Sequence, residues 1–129
     1  MDAINAHDVD RIVSLMADDH IFMDAYGHSE GKEAMAQGWP GYFMWFPDYL
    51  IEVHHVFVSD DMVGIFGYAS GTCRGGATPH HANHWRIPAA WRAVVKNHKI
   101  AVWQVYADSK IPFDIMSESN KIQHSSTQQ

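Results

Sequence analysis

Asp18-Asp19-His20-Ile21-Phe22-Met23-Asp24-Ala25-Tyr26-Gly27 is the stretch on which the reading of the fold turns. A helical pattern stops at the two aspartates. A short run of bulky residues follows and finishes on a carboxylate just before a turn at Gly27. In strand geometry His20, Phe22 and Asp24 point to one side and Ile21 and Met23 to the other. With the first set inside a curved sheet, Asp24 is a lone carboxylate among apolar neighbours, where burial raises a carboxyl's pKa toward working pH. That makes Asp24 a candidate general base. His20 shares its side and is placed to hydrogen-bond near it. The plain alternative is that Asp24 caps the turn before Gly27, a common use of Asp.

Upstream, Met1 and Ile4 start a short helical piece that Asn5-Ala6-His7 interrupts. Asp8 is then placed to cap a helix with Ile12, Leu15 and Met16 at helical spacing, which Asp18 and Asp19 are expected to end. Downstream, a polar turn through Gly31 leads into a second helix. Along it Met35, Trp39, Phe43 and Phe46 recur on one face. Pro40, flanked by Gly38 and Gly41, predicts a kink or break there. The stripe is either core packed against a sheet or, with Tyr42, the wall or lid of a pocket.

Beyond Pro47-Asp48 the pattern turns to strands. Tyr49–Ser59 and Met62–Cys73 read as a hairpin around Asp60-Asp61, with Gly64, Gly67 and Gly71 predicting bends or bulges. A loop over Cys73–Asn83 follows, and then Trp85–Lys96 pairs with Lys99–Asp108 around Asn97-His98. The reading is one domain over residues 1–116 and a Ser/Gln-rich tail, 117–129, expected to be disordered. Helices followed by long antiparallel strands make an α+β domain. Its helices cover one face of a strongly curved, mostly antiparallel sheet, leaving a cone open at one end.

At 129 residues, 47% hydrophobic and 12% aromatic, the chain can bury a single core. Five Trp, five Tyr and six Phe exceed what packing alone requires and suit either a ring-lined cavity for an apolar ligand or a dimer face. A formal charge of −6 argues against a nucleic-acid partner. Cys73 is the only cysteine, which rules out an intrachain disulfide and fits a reducing compartment. No apolar run has the length of a membrane span and no signal pattern opens the chain, so a cytoplasmic protein is expected.

The residues Ala3, Asn5, Ala6, Asp8, Asp10, Ile12, Val13, Leu15, Ala17, Asp18, Asp19, Asp24 and Gly27, ungapped, resemble the opening of ketosteroid isomerases and of the wider nuclear-transport-factor-2-like superfamily. Pro88-Ala89-Ala90-Trp91-Arg92, Lys99-Ile100 and Trp103-Gln104-Val105-Tyr106-Ala107-Asp108 are similar to its SnoaL-like branch, which includes polyketide cyclases. The resemblance extends to about Met116. It implies the cone-shaped fold, and a function that varies among isomerases, dehydratases, cyclases, epoxide hydrolases and non-catalytic binders.

Residue by residue, the resemblance puts Asp24 at the isomerases' general base. The isomerases' oxyanion Tyr falls one position before Met1 and their protonated Asp falls at Ala89, which cannot donate a hydrogen bond. Steroid isomerisation by the usual machinery is therefore not expected. Asp108 falls where SnoaL-like cyclases carry an acid/base Asp, although it also reads as a strand-end turn residue. Strand parity sets it opposite Trp103 unless a bulge intervenes. The family places the face of Trp85, Ile87, Ala89 and Trp91 inside. Arg86 and Arg92 then point outward, onto the face through which many members form homodimers.

Other constellations are weaker. His80, His81 and His84 near Cys73 match no zinc spacing, so no metal is expected. His54 and His55 are adjacent, so only one can face inward. No nucleophile elbow, phosphate loop or nucleotide fingerprint is present. The reading is of a cofactor-free, small-molecule acid/base enzyme. Asp24 is the base, Asp108 or His20 the partner acid, and Trp39, Tyr42, Phe43, Phe46, Trp85, Ala89, Trp91 and Trp103 the wall. The rival reading is a ligand-binding or assembly domain of the same fold.

Overall fold

Asp8 opens the first well-formed helix by accepting the Arg11 N–H at 3.1 Å, as an N-cap carboxylate does. A computed structural model of the chain describes residues 1–73, 83–108, 110–112 and 114. The expected loop through His80 and His81 and the tail 117–129 lie outside the described residues. Helices α1 (Asp2–Asn5) and α2 (Val9–Ser14) are separated by His7, which takes a left-handed φ of 55°.

The residues that interrupt the helix also tie it down. Asn5 Nδ2 donates to the Ile51 carbonyl at 2.9 Å, and the Ile51 N–H returns to Asn5 Oδ1 at 2.8 Å. His7 Nε2 donates to the Tyr49 carbonyl at 2.8 Å. Ile51 is 3% exposed, so Asn5 satisfies buried backbone that would otherwise lack partners.

Strand β1 (Met16–Met23) starts before the two aspartates. The expectation that Asp18 and Asp19 end the helix is corrected: both lie within β1 and are exposed. The reason is remote in sequence. The Ile100 N–H reaches the Leu15 carbonyl at 2.7 Å and Lys99 Nζ reaches the Ser14 carbonyl at 2.6 Å, which turns the chain from helix into strand. Strand β2 (Ser29–Gly31) and helix α3 (Lys32–Trp45) follow. The break expected at Pro40 is absent, and α3 runs through it. Pro40 loses one helical N–H bond, while its buried neighbours Trp39 and Phe43 hold the helix by packing.

Strands β3 (Leu50–Ser59), β4 (Met62–Thr72), β5 (His84–Lys96) and β6 (Lys99–Ala107) complete a six-stranded sheet ordered β2-β1-β6-β5-β4-β3. Its pairs are antiparallel except β1 with β6. The sheet is not closed. Asn97 and His98, with φ of 51° and 64°, make the β5–β6 turn with both central residues left-handed, which matches the strand twist. A bulge between Val53 and His55 faces Gly67, where any Cβ would run into the Glu52 carbonyl. Gly71 leaves room for Trp85, whose Cζ2 would lie 3.1 Å from an added Cβ. Gly64 meets no such crowding. Among the described residues no helix is long and apolar enough to cross a membrane.

Candidate active site

Alternation along β5 builds the floor of the site. Trp85, Ile87, Ala89 and Trp91 all point inward and are at most 8% exposed. Arg86 points outward to a two-pronged pairing with Glu52 at 3.0 and 3.1 Å, its guanidinium 3.8 Å above the Tyr68 ring. Across three strands Gly67, Ala89 and Ala107 stand in register. Of this row Ala89 and Ala107 leave space over the middle of the sheet, while the place of a side chain at Gly67 is taken by the Glu52 carbonyl. From α3, Met35, Trp39 and Tyr42 close over it, with Phe46 at the helix end. The result is a mostly apolar cavity of about 310 Å³, within the range of small-molecule sites.

Its rings brace one another edge to face. Tyr42 meets Phe46 at 5.1 Å, Phe46 meets Trp85 at 5.3 Å, and Tyr42 meets Tyr49 at 5.0 Å between centroids. These are favourable aromatic geometries.

The polar groups on this wall are few. Tyr42 and Tyr49 share a hydrogen bond, and burial raises both phenols, Tyr49 to about 12 and Tyr42 well above its ordinary value. Tyr42 nevertheless keeps 37% of its surface accessible. Tyr42 is also among the residues that line the cavity. Two hydroxyls sharing one bond have one further proton to donate. The indole N–H groups of Trp39 and Trp85 are buried without partners among the described residues.

Asp24 is the one acidic side chain bordering the cavity among the described residues. It sits just past the end of β1, at the rim, with its side chain 34% exposed. Its Oδ1 accepts the N–H groups of Tyr26 and His28, each at 2.9 Å, and Oδ2 lies 3.2 Å from His28 Nδ1. Gly27, at φ 85°, lets the turn close. Partial burial alone would raise the carboxyl's pKa, but the His28 and Tyr26 amides and the His28 imidazole outweigh it and hold the group below its ordinary value. The raised pKa expected from strand parity is thereby corrected. Asp24 is both a turn cap and a rim carboxylate, and the two readings do not exclude each other.

The structure brings together seven of the eight expected wall residues: Trp39, Tyr42, Phe46, Trp85, Ala89, Trp91 and Trp103. Phe43 is not among them. It lies at the edge of the same apolar stripe, where it stacks on the His7 ring at 4.1 Å and on the Trp39 ring at 5.2 Å. His20 does not meet Asp24 either. It is 3% exposed, donates from Nδ1 to the Ile100 carbonyl at 2.7 Å, and borders a separate cavity of about 100 Å³. Asp108 is exposed, accepts the Lys110 N–H at 3.1 Å, and is absent from the main lining. Trp103, Val105 and Ala107 line the cavity, and Asp108, one position further on, has the opposite parity.

His54 and His55 are exposed and lie outside the main lining. His84 Nδ1 is 2.9 Å from the Thr72 hydroxyl, which donates to Asp48 at 2.6 Å. Among the described residues no cluster of three His, Cys, Asp or Glu is placed to hold a metal. Tyr49 was missed in the sequence. Its signal is the spacing Tyr42, Phe46, Tyr49, which carries the helical period past the end of α3.

A family model described as a SnoaL-like domain matches residues 1–103. No curated protein matches the chain in sequence. One similar solved structure is a hypothetical protein with a ketosteroid isomerase-like fold from Catenulispora acidiphila DSM 44928, in complex with trimethylamine. It is 18% identical, with a TM-score of 0.73 over 92% of this chain and 86% of that one. IdmH from Streptomyces antibioticus, a proposed polyketide cyclase, is 18% identical with a TM-score of 0.72 over 90% and 91%. A LEH-like epoxide hydrolase of M. tuberculosis is 12% identical with a TM-score of 0.72 over 96% and 88%. At such identities the likeness establishes the fold, the open α+β cone expected from the sequence.

Proposed function

The chain belongs to the SnoaL-like domain family, and from that premise we propose that it is an acid/base catalyst acting on an apolar, carbonyl-bearing small molecule. The observation that carries this reading is Asp24, the single rim carboxylate among the described residues, on a cavity otherwise walled by aromatic and aliphatic side chains and bordered by the hydrogen-bonded pair Tyr42 and Tyr49. Asp24 takes the proton from a carbon next to the carbonyl. The C–H electrons move to the carbonyl oxygen, and the hydroxyl pair donates a hydrogen bond to the enolate that forms. Returning the proton to another carbon gives an isomer. Attack of the enolate on a second carbonyl gives a ring, and loss of a neighbouring hydroxyl gives a dehydrated product. All three outcomes share the first step and need no cofactor.

The test is deuterium exchange at the α-carbons of a panel of cyclic ketones, followed by proton NMR. Wild type accelerates exchange, and Asp24→Asn loses about 10²- to 10⁴-fold of it, the usual worth of a positioned base. A panel that exchanges no faster with wild type than with Asp24→Asn overturns the reading.

The second reading is a binding domain in which Asp24 only closes its turn. Its two backbone amide bonds favour it. On either reading we propose a homodimer through the outer sheet face, where Phe57, Phe66 and Tyr106 are 63%, 48% and 51% exposed, and a cytoplasmic setting, in keeping with a lone cysteine.

A further inference from the structure

The smaller cavity beside the main one has its own chemistry. Of its side chains, Ile4, Ile12, Met16 and Ile100 are purely apolar, and among the described residues His20 is the only titratable one. Because the Ile100 carbonyl can only accept, His20 Nδ1 carries the proton and Nε2 carries a lone pair. Nε2 has no hydrogen-bond partner among the described residues. A water beside Nε2 would find few further partners in such a lining, and buried waters need two to four. Phe22, Met35, Trp39 and Trp103 border both cavities, so the two are neighbours.

We propose that the smaller cavity is a second ligand compartment, in which His20 Nε2 accepts a hydrogen bond from the hydroxyl of an otherwise apolar ligand group. The single acceptor in an apolar chamber selects a neutral donor. At Nε2 a cation would find no counter-charge, and a carbonyl or ether would face a lone pair with a lone pair. A ligand spanning both chambers thus carries its reacting carbonyl toward Asp24 and a hydroxyl, alcoholic or phenolic, at its far end. This deepens the proposed function by naming a feature of the ligand, yet the compartment does not depend on Asp24 acting as a base.

The probes are phenol and toluene, which match in size and ring and differ by the donor. Isotope-labelled histidine nitrogens of the wild-type protein are assigned through the backbone and followed by NMR. Phenol moves the His20 Nε2 resonance toward that of a hydrogen-bonded imidazole, while Nδ1 stays protonated and toluene moves neither. In His20→Leu the preference for phenol over toluene falls about fivefold, one ordinary hydrogen bond. Where that variant fails to fold, the wild-type spectrum decides alone. An Nε2 resonance that phenol leaves in place, or that toluene moves equally, overturns the proposal. Loss of ketone exchange in Asp24→Asn with the phenol response intact separates the two readings, as does the reverse.

Discussion

Ala89→Leu tests whether the main cavity is real space. Ala89 is 8% exposed and stands in register between Gly67 and Ala107, facing a cavity of about 310 Å³. Leucine adds three carbons. At about 0.8 kcal/mol per buried CH₂ they bring roughly 2.4 kcal/mol of transfer free energy. Fixing the leucine rotamer costs roughly 0.5–1 kcal/mol. The net expectation is a gain of about 1.5 kcal/mol, or a melting temperature higher by roughly 5 °C for a domain of this size. The same substitution fills the ligand's place, so ketone exchange and quenching of Trp fluorescence by apolar ligands fall together. Ala93→Leu is the control. Ala93 shares the face and is 4% exposed, but borders neither cavity, so overpacking costs it about 1–3 kcal/mol. Urea unfolding followed by circular dichroism reads both. Equal destabilisation of the two variants refutes the reasoning, because it means that Ala89 faces packed atoms rather than an open cavity.

Asn5→Ala removes both bonds to the buried Ile51 backbone and is expected to cost about 2–4 kcal/mol in urea unfolding; a loss below half a kcal/mol would mean that the clamp is replaced by water. Tyr49 and Tyr42 titrate late, Tyr49 at about 12, which ultraviolet tyrosinate absorbance measures. A folded pKa above the unfolded one gives stability that is intact below pH ~10 and lost as pH rises toward about 12. That loss is about 3 kcal/mol for Tyr49, and Tyr49→Phe should flatten this part of the pH profile.

What was legible in the sequence rests on local periodicity. Period-two alternation from Trp85 to Trp91 marks the cavity floor, Asn97-His98 marks the tight turn, and Asp8 marks the helix start. Each depends on residues a few positions apart. What was not legible depends on distant partners. The helix ends at Ser14 because residues 99 and 100 capture its last carbonyls, and nothing within residues 8–19 carries that information. Pro40 is a breaker by local rule, overridden by the packing of Trp39 and Phe43. Phe43 and Phe46 belong to one apolar stripe, yet Phe43 faces His7 and Phe46 faces the cavity. The stripe is wider than either neighbour, and periodicity cannot say which surface each edge meets. His20 and Asp24 share a strand parity but serve different cavities, since four residues of strand span roughly 13 Å.

The position of Asp24 also shifts where the chemistry must come from. A carboxylate held low by two amides and an imidazole is ionised across the neutral range, so it is always available, but it binds a proton weakly. Abstracting a proton from carbon with a weak base requires that the developing enolate be stabilised by something else. On this wall that can come from the Tyr42–Tyr49 pair, whose buried neutral phenols are fixed donors in a water-poor site. Catalyst and binder therefore differ less in Asp24, which a turn cap and a base would place identically, than in whether a carbonyl oxygen reaches those hydroxyls. A Tyr42→Phe and Tyr49→Phe comparison that leaves ligand affinity within a few-fold while exchange collapses supports catalysis. Equal loss of both belongs to a binding pocket.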